Sequence, residues 1–289
     1  VAAVATGPVA VVTDASPAVL SLGDSARADA ESSSLAPALN ADPGATPQTP
    51  AASVPAVLAR GLVKQFGARR GLDGVDLTLP AGAFLSIFGP NGAGKTTLLS
   101  ILSLLSRPTR GSLALLGVDA LEEPEALRAR IGLISHRSML YGDLTARENL
   151  AFFSSLYTGE PDEQRIDELL RLVELDHRRN DLVRTFSRGM QQRLSIARAL
   201  VNDPALVLLD EPYSGLDPHA AELLDELIER VRPGRTLVMV SHDLAKGFDL
   251  CTHALILARS QVVAFVEKDT VDAAAFRDLY LATVGTGVA

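Results

Sequence analysis

From about Ala56 onward the chain alternates short apolar runs with stretches of helical periodicity, and that alternation predicts an α/β fold with a parallel sheet. Strands are expected over 57–63 and 75–79, with turns at Gly71 and Gly74, then over 84–88, 111–117 and 131–135. The apolar run 97–106 is the longest in this part of the chain and reads as a buried helix. The pattern then turns helical. Thr145-Ala146-Arg147-Glu148 has the spacing of a capping box, predicting a helix through about Tyr157. Pro161 opens a second helix, with Ile166, Leu169, Leu170 and Val173 on one face, and a third runs over about 188–201. Strands return over 205–209, 236–240, 254–257 and 261–266, and a short helix is expected around 271–281. The helical block 137–203 thus reads as an insertion between two halves of an α/β core.

Residues 1 to about 55 have a different texture. They contain no aromatic residue and hold seven of the 16 prolines amid Ala, Ser and Thr. Five acids (Asp14, Asp24, Asp29, Glu31, Asp42) stand against Arg27 alone. Such a segment cannot bury enough apolar surface to offset its ordering entropy, so a disordered tail is expected. A signal peptide fits poorly, because no basic stretch precedes the mildly apolar start and Asp14 interrupts it.

Composition narrows the possibilities. A formal charge of −8 speaks against a nucleic-acid binder. Cys251 is the only cysteine, so no intrachain disulfide is possible and the thiol reads as a small buried hydrophobe. No uncharged apolar run approaches the ~18–20 residues of a membrane span.

Chemistry enters at residues 89–97, Gly-Pro-Asn-Gly-Ala-Gly-Lys-Thr-Thr, between a predicted strand and a predicted helix. They fit G-x-x-x-x-G-K-[ST] at every fixed position. Glycines let backbone N–H groups turn inward around phosphate oxygens, and the helix N-terminus adds its positive end. Gly89, Asn91, Gly92, Ala93, Gly94 and Thr97 are the candidate cradle. Lys95 can reach the outer phosphates, and the Thr96 hydroxyl can ligate Mg²⁺.

The apolar run Leu206-Val207-Leu208-Leu209 ends in Asp210 and Glu211. This strand is expected to lie directly beside the strand that feeds the loop, which would put both carboxylates at the metal and the terminal phosphate. Asp210 suits a Mg²⁺ contact through water; Glu211 can orient or deprotonate the attacking water. The strand 236–240 leads to Ser241 and His242. All three strands should end on one carboxyl edge, so His242 would stand near the terminal phosphate and donate a hydrogen bond to it. Ser187 opens a helix whose free N–H groups make a second anion site. One nucleotide needs one cradle, so a second makes sense if it faces the nucleotide of another copy.

Together these stretches resemble the ATP-binding subunit of an ABC transporter over about 56–268. The loop is similar to Walker A and 206–211 to Walker B. Ser187-Arg188-Gly189-Met190-Gln191-Gln192-Arg193 is similar to the signature motif, with Arg188 and Met190 where the commonest signature has glycine and glutamine. Ser214-Gly215-Leu216-Asp217 resembles the D-loop, and His242 the switch histidine. Phe66 stands where the family stacks an aromatic ring on adenine. The Q-loop position holds His136, a candidate nucleotide and Mg²⁺ contact. A neutral imidazole can accept a hydrogen bond as the amide oxygen would; a protonated one cannot. Turnover is therefore expected to fall as His136 titrates, and an acid limb unchanged in His136→Gln would rule that out.

The resemblance implies a RecA-like phosphate-loop core with a parallel sheet, a helical subdomain at about 137–203, an N-terminal antiparallel β portion, and a short helix and tail over 269–289. It implies ATP hydrolysis with Mg²⁺, a head-to-tail homodimer in which Ser187 and Gly189 meet the partner's nucleotide, Asp217 as a further nucleotide contact, and an integral-membrane permease docking around 136–150. It places the chain in the cytoplasm, peripheral on the inner face of the cell membrane. The run 134–150 together with the signature resembles most the haem-exporter subunits of cytochrome c maturation, with drug, polysaccharide or lipid exporters as the alternative. A soluble ABC-type ATPase would carry two cassettes, and only one phosphate loop is present. A chromosome or repair ATPase would need long coiled-coil helices between Lys95 and Asp210, for which their separation of 115 residues leaves no room. A phosphate-loop kinase would lack the Ser187 loop and His242.

Overall fold

The computed structural model describes residues 54–135 and 138–285. The expected tail over 1–55 falls almost wholly outside them, as does the chain end beyond 285.

Among the described residues, ten strands form two sheets. β1 (Val57–Phe66) and β2 (Arg69–Leu79) make a hairpin, followed by β3 (Phe84–Phe88) and helix α1 (Lys95–Leu102). Next come β4 (Arg110–Leu115), β5 (Val118–Asp119), α2 (Pro124–Arg128) and β6 (Ile131–Ile134). The helical insertion is α3 (Ala146–Thr158), α4 (Glu163–Leu172) and α5 (Arg188–Ala199). The core resumes with β7 (Leu206–Asp210), α6 (Pro218–Val231), β8 (Thr236–Val240) and α7 (Leu244–Leu250), then β9 (His253–Ala258), β10 (Gln261–Glu267) and α8 (Ala273–Gly285).

The smaller sheet runs β2-β1-β4-β5 and is antiparallel; it is the expected N-terminal β portion. The larger runs β10-β9-β3-β8-β7-β6, parallel except for β10. One expectation fails here. β7 is not beside β3, because β8 is hydrogen-bonded between them. The carboxylates at the end of β7 therefore approach the phosphate loop across the strand that carries the histidine.

The central strands are buried on both faces, which is why they read as continuous apolar runs. Alternate residues still face different cores. Phe84, Phe88, Val207, Leu209, Leu237 and Met239 join the insertion, α6, α7 and α8 on one side. Leu85, Ile87, Leu206, Leu208, Val238 and Val240 join α1 and the smaller sheet on the other.

The insertion begins as its sequence predicts. The Thr145 hydroxyl accepts from Glu148 N (3.2 Å) while Glu148 Oε2 accepts from Thr145 N (2.8 Å). Buried Asn149 holds the preceding loop, accepting from Tyr141 N at 2.8 Å and donating to Tyr141 O and Thr145 O at 3.0 and 2.9 Å. Pro161 lies before α4 rather than in it; Asp162 is the cap, its carboxylate accepting from Arg165 N. The apolar run 97–106 is helical only to Leu102, since Leu104 takes a left-handed conformation (φ 61°) and Leu105 is exposed. Helices α2, α6 and α7 fill segments for which the sequence pattern gave no element.

Candidate functional site

Backbone geometry makes the phosphate loop. Gly89 has φ 148°, and a Cβ there would lie 2.1 Å from Leu257 O; at Gly94 (φ 108°) it would lie 2.4 Å from Gly71 O. Neither position admits a side chain. Gly94 also stands at the N-cap of α1, which has no side-chain cap and no acid in its first turn. The leading N–H groups are left for a ligand with negative charge.

Lys95 is buried, and its ammonium donates to Gly89 O (2.7 Å) and Pro90 O (3.1 Å). Burial lowers its pKa, while the carboxylates of Glu211 and Asp210 pull it back up. A desolvated cation held over its own loop, with two acids close by, suits the outer phosphates of a nucleotide.

Glu211 follows β7 in a left-handed conformation (φ 50°) that few non-glycine residues adopt, a form of strain that often accompanies function. Its N–H donates to Val240 O (3.1 Å), and its carbonyl accepts from Ser214 N (3.0 Å). The side chain meets His242, Nε2 to Oε1, at 2.6 Å. The two residues end neighbouring strands, so the sheet order that departs from expectation is what brings them together. As placed, the His242 ring, expected to stand near a phosphate, is engaged through Nε2 by the Glu211 carboxylate.

One cavity of about 330 Å³ is lined by Asn91 to Thr97, Glu211 and His242, with Phe66, Arg69 and Gly71 at its other wall. Ten of the predicted site residues thus share one space. Phe66 is 53% exposed with Lys64 Nζ 5.1 Å from its ring centroid, which leaves a face open for stacking. Arg69 and Gly71 were missed, because they are brought here by the smaller sheet and nothing in their local sequence marks them. Gly89 is buried beneath the loop, and Asp210 is buried at the end of β7, outside the lining.

The remaining predicted residues do not join this cavity. Ser187 caps α5, its hydroxyl accepting from Met190 N at 3.3 Å, and Gly189 packs toward Ala220 of α6. Asp217 caps α6 by accepting from Ala220 N at 2.9 Å. Their sequence neighbours Arg188, Gln191, Gln192 and Ser214 border, with Ser138 and Glu211, a second, polar cavity of about 360 Å³, which none of the three lines. His136 lies outside the described residues.

For a divalent cation, the Thr96 hydroxyl is exposed and without a hydrogen-bond partner among the described residues, and the Asp210 carboxylate stands at the same sheet edge. Oxygen donors of this kind suit Mg²⁺. No group of three or more His, Cys, Asp or Glu that could hold a metal exists among the described residues. The remaining ligands would have to be phosphate oxygens and water.

Comparison with known proteins gives a consistent answer. The model of the family described as ABC transporter matches residues 72–214. The chain is 36% identical over 212 residues to the daunorubicin resistance ATP-binding protein DrrA3 of Streptomyces coeruleorubidus, covering 72% of this chain and 67% of that protein. It is 34% identical over 208 residues to the Nod factor export ATP-binding protein I of Cupriavidus metallidurans, covering 71% and 69% respectively. Among solved structures it resembles the dimeric post-hydrolysis state of the ATP-binding cassette MJ0796 bound to ADP and Pi, with a TM-score of 0.67 and 29% identity over 73% of this chain and 98% of that one. An ATP-binding subunit of an ABC transporter gives a TM-score of 0.69 at 28% identity, covering 78% and 98%.

Proposed function

The chain belongs to the ABC transporter family, among its ATP-binding and ATP-hydrolysing subunits, and from that premise we propose that it powers an exporter through a separate membrane permease. The observation that carries this reading is the single cavity joining the phosphate loop to the Glu211–His242 pair.

In this proposal the amides of 91–97 and Lys95 hold the phosphates, and Phe66 stacks on the base. Thr96 and Asp210 hold Mg²⁺, which when bound offsets charge on the phosphate oxygens. Glu211 positions the attacking water and takes its proton, with His242 fixing the carboxylate. Two chains pair head to tail about a two-fold axis, so that Ser187 and Gly189 of one meet the nucleotide on the loop of the other. The dimeric relative and the absence of these residues from the lining of the chain's own cavity support that pairing. ATP contacts both surfaces only in the closed dimer, so it favours closure, and hydrolysis releases it.

The permease would dock in the groove of about 450 Å³ between α1, β6 and the insertion, where Leu105, Met139 and Tyr157 are exposed and Phe153 faces Arg198. Among the described residues no helix is long and apolar enough to cross a membrane, so attachment to the inner face would come through that partner.

The relatives named for daunorubicin resistance and Nod factor export favour a drug, polysaccharide or lipid cargo over haem. The finer resemblance to haem-exporter subunits finds no support among these relatives. The test is reconstitution in membrane vesicles with a candidate permease sought in the adjoining reading frames. ATP-dependent uptake of a drug-like or lipid probe, lost in Glu211→Gln, is expected. Turnover that ignores both permease and probe would overturn the transport reading.

A further inference from the structure

Helix α8 buries one side chain between two elements that flank the site. Phe276 is 1% exposed. Its ring stacks on Phe248 of α7 (centroids 4.4 Å apart, planes at 14°) and tilts against Phe88 at 5.2 Å. Phe88 directly precedes Gly89, and α7 directly follows His242 and its cap Asp243.

The two contacts differ in what they can move. Phe88 ends β3, a strand laddered on both sides by β8 and β9, so its backbone is fixed without help. α7 has seven residues and no ladder. Its ties to the sheet and its margins include Gly247, where a Cβ would lie 2.8 Å from the Phe88 ring, and the bonds from Ser86 Oγ to Gly247 O (2.7 Å) and Ser241 Oγ to Asp243 O (2.9 Å). Cys251 Sγ donates to Phe248 O and Lys268 Nζ to Asp249 O, and the Phe248–Phe276 stack joins the helix to α8. Lys246 adds an ion pair to Asp225 at 2.9 Å. Beside it lies a cavity of about 600 Å³ bordered by His242, Leu244, Phe248, Ala273 and Phe276, room into which α7 can shift if the stack is lost.

We propose that Phe276 is a positioning residue: by pinning α7 through Phe248 it holds His242 against Glu211, and so sets turnover without setting nucleotide affinity. The proposal rests on the role given to His242 above.

The test is a cycle of Phe276→Ala and His242→Ala in the full chain, reading ATP turnover, ATP affinity and melting temperature. In the folded Phe276→Ala variant turnover should fall on the order of tenfold, the scale set by small misplacements of reacting groups, with ATP affinity little changed. In the His242→Ala background the same change should cost little more, because the two act as one unit. Phe276→Leu, which refills most of the volume, should recover part of the turnover; it also carries the test should Phe276→Ala not fold. Normal turnover in folded Phe276→Ala, effects that multiply in the double variant, or a loss confined to ATP affinity would each overturn the inference. Normal turnover in His242→Ala would instead remove the role assigned to His242.

Discussion

The carboxyl edge of the main sheet and the N-terminus of α5 were both expected to meet an anion, yet they are built differently. At the sheet edge everything converges within one chain: uncapped amides, a buried lysine, and a carboxylate held by a histidine from the next strand. At α5 the amides are already capped by Ser187, the neighbouring Gly189 is pressed toward α6, and the nucleotide cavity lies elsewhere. The first region gathers its groups within one chain. The second lines no part of that cavity, and in the dimer proposed above it acquires chemistry only against the partner chain.

The sharpest way to break this contrast is to disable the first region's chemistry while leaving its binding intact. Glu211→Gln keeps the shape of the side chain but cannot take a proton. Turnover measured by phosphate release should fall about 10²–10⁴-fold, with ATP binding retained. Near-normal hydrolysis would move the base elsewhere. Lys95→Ala should act on binding instead. Loss of a charge-assisted contact, about 1.5–3 kcal/mol, corresponds to a drop of roughly one to two orders of magnitude in ATP affinity, readable by calorimetry.

The second region is sharpened by pairing two helix caps. Ser187→Ala and Thr145→Ala each remove a capping oxygen and should each cost ~1 kcal/mol of stability in denaturant unfolding. Only Ser187→Ala should also lower turnover. Equal turnover losses in both would reduce Ser187 to a cap.

The smallest effect belongs to neither region. His253, stacked on Phe265, has its pKa lowered by burial, with Glu267 and Asp269 pulling it up. Because the folded pKa lies below the unfolded one, its contribution is fully present above about pH 6.5 and is lost as pH falls through the folded value. His253→Gln should flatten that acid-side loss in thermal melts without altering turnover.

What the sequence revealed follows the same division. The phosphate loop, the capping box and the buried central strands are written in contiguous residues, and each was found where its pattern placed it; β2 was not, since it begins at Arg69 and runs through Gly71 and Gly74, where turns were expected. Sheet order is not contiguous information. Both β7 and β8 end in polar residues of the expected kind, but only packing decides that β8 lies between β7 and β3, and with that the Glu211–His242 contact. Arg69 and Gly71 reach the cavity by way of the smaller sheet. Helix α6 did have a signal, Asp217 before Pro218, the pairing of a cap with proline at the first turn. The Asp217 side chain was read for its motif and not for its cap. The reading of Cys251 held: it is buried, its S–H donates to Phe248 O, and burial pushes its pKa up to about 11.

Whether the two regions form one site between two chains can be measured by mixing. A Lys95→Ala chain has a defective loop and an intact Ser187; a Ser187→Glu chain has the reverse. Each should be nearly inactive alone. In a mixed dimer one site unites both defects and the other unites the intact halves, so turnover should partly recover on mixing. A mixture as inactive as its components would contradict a site shared between two chains.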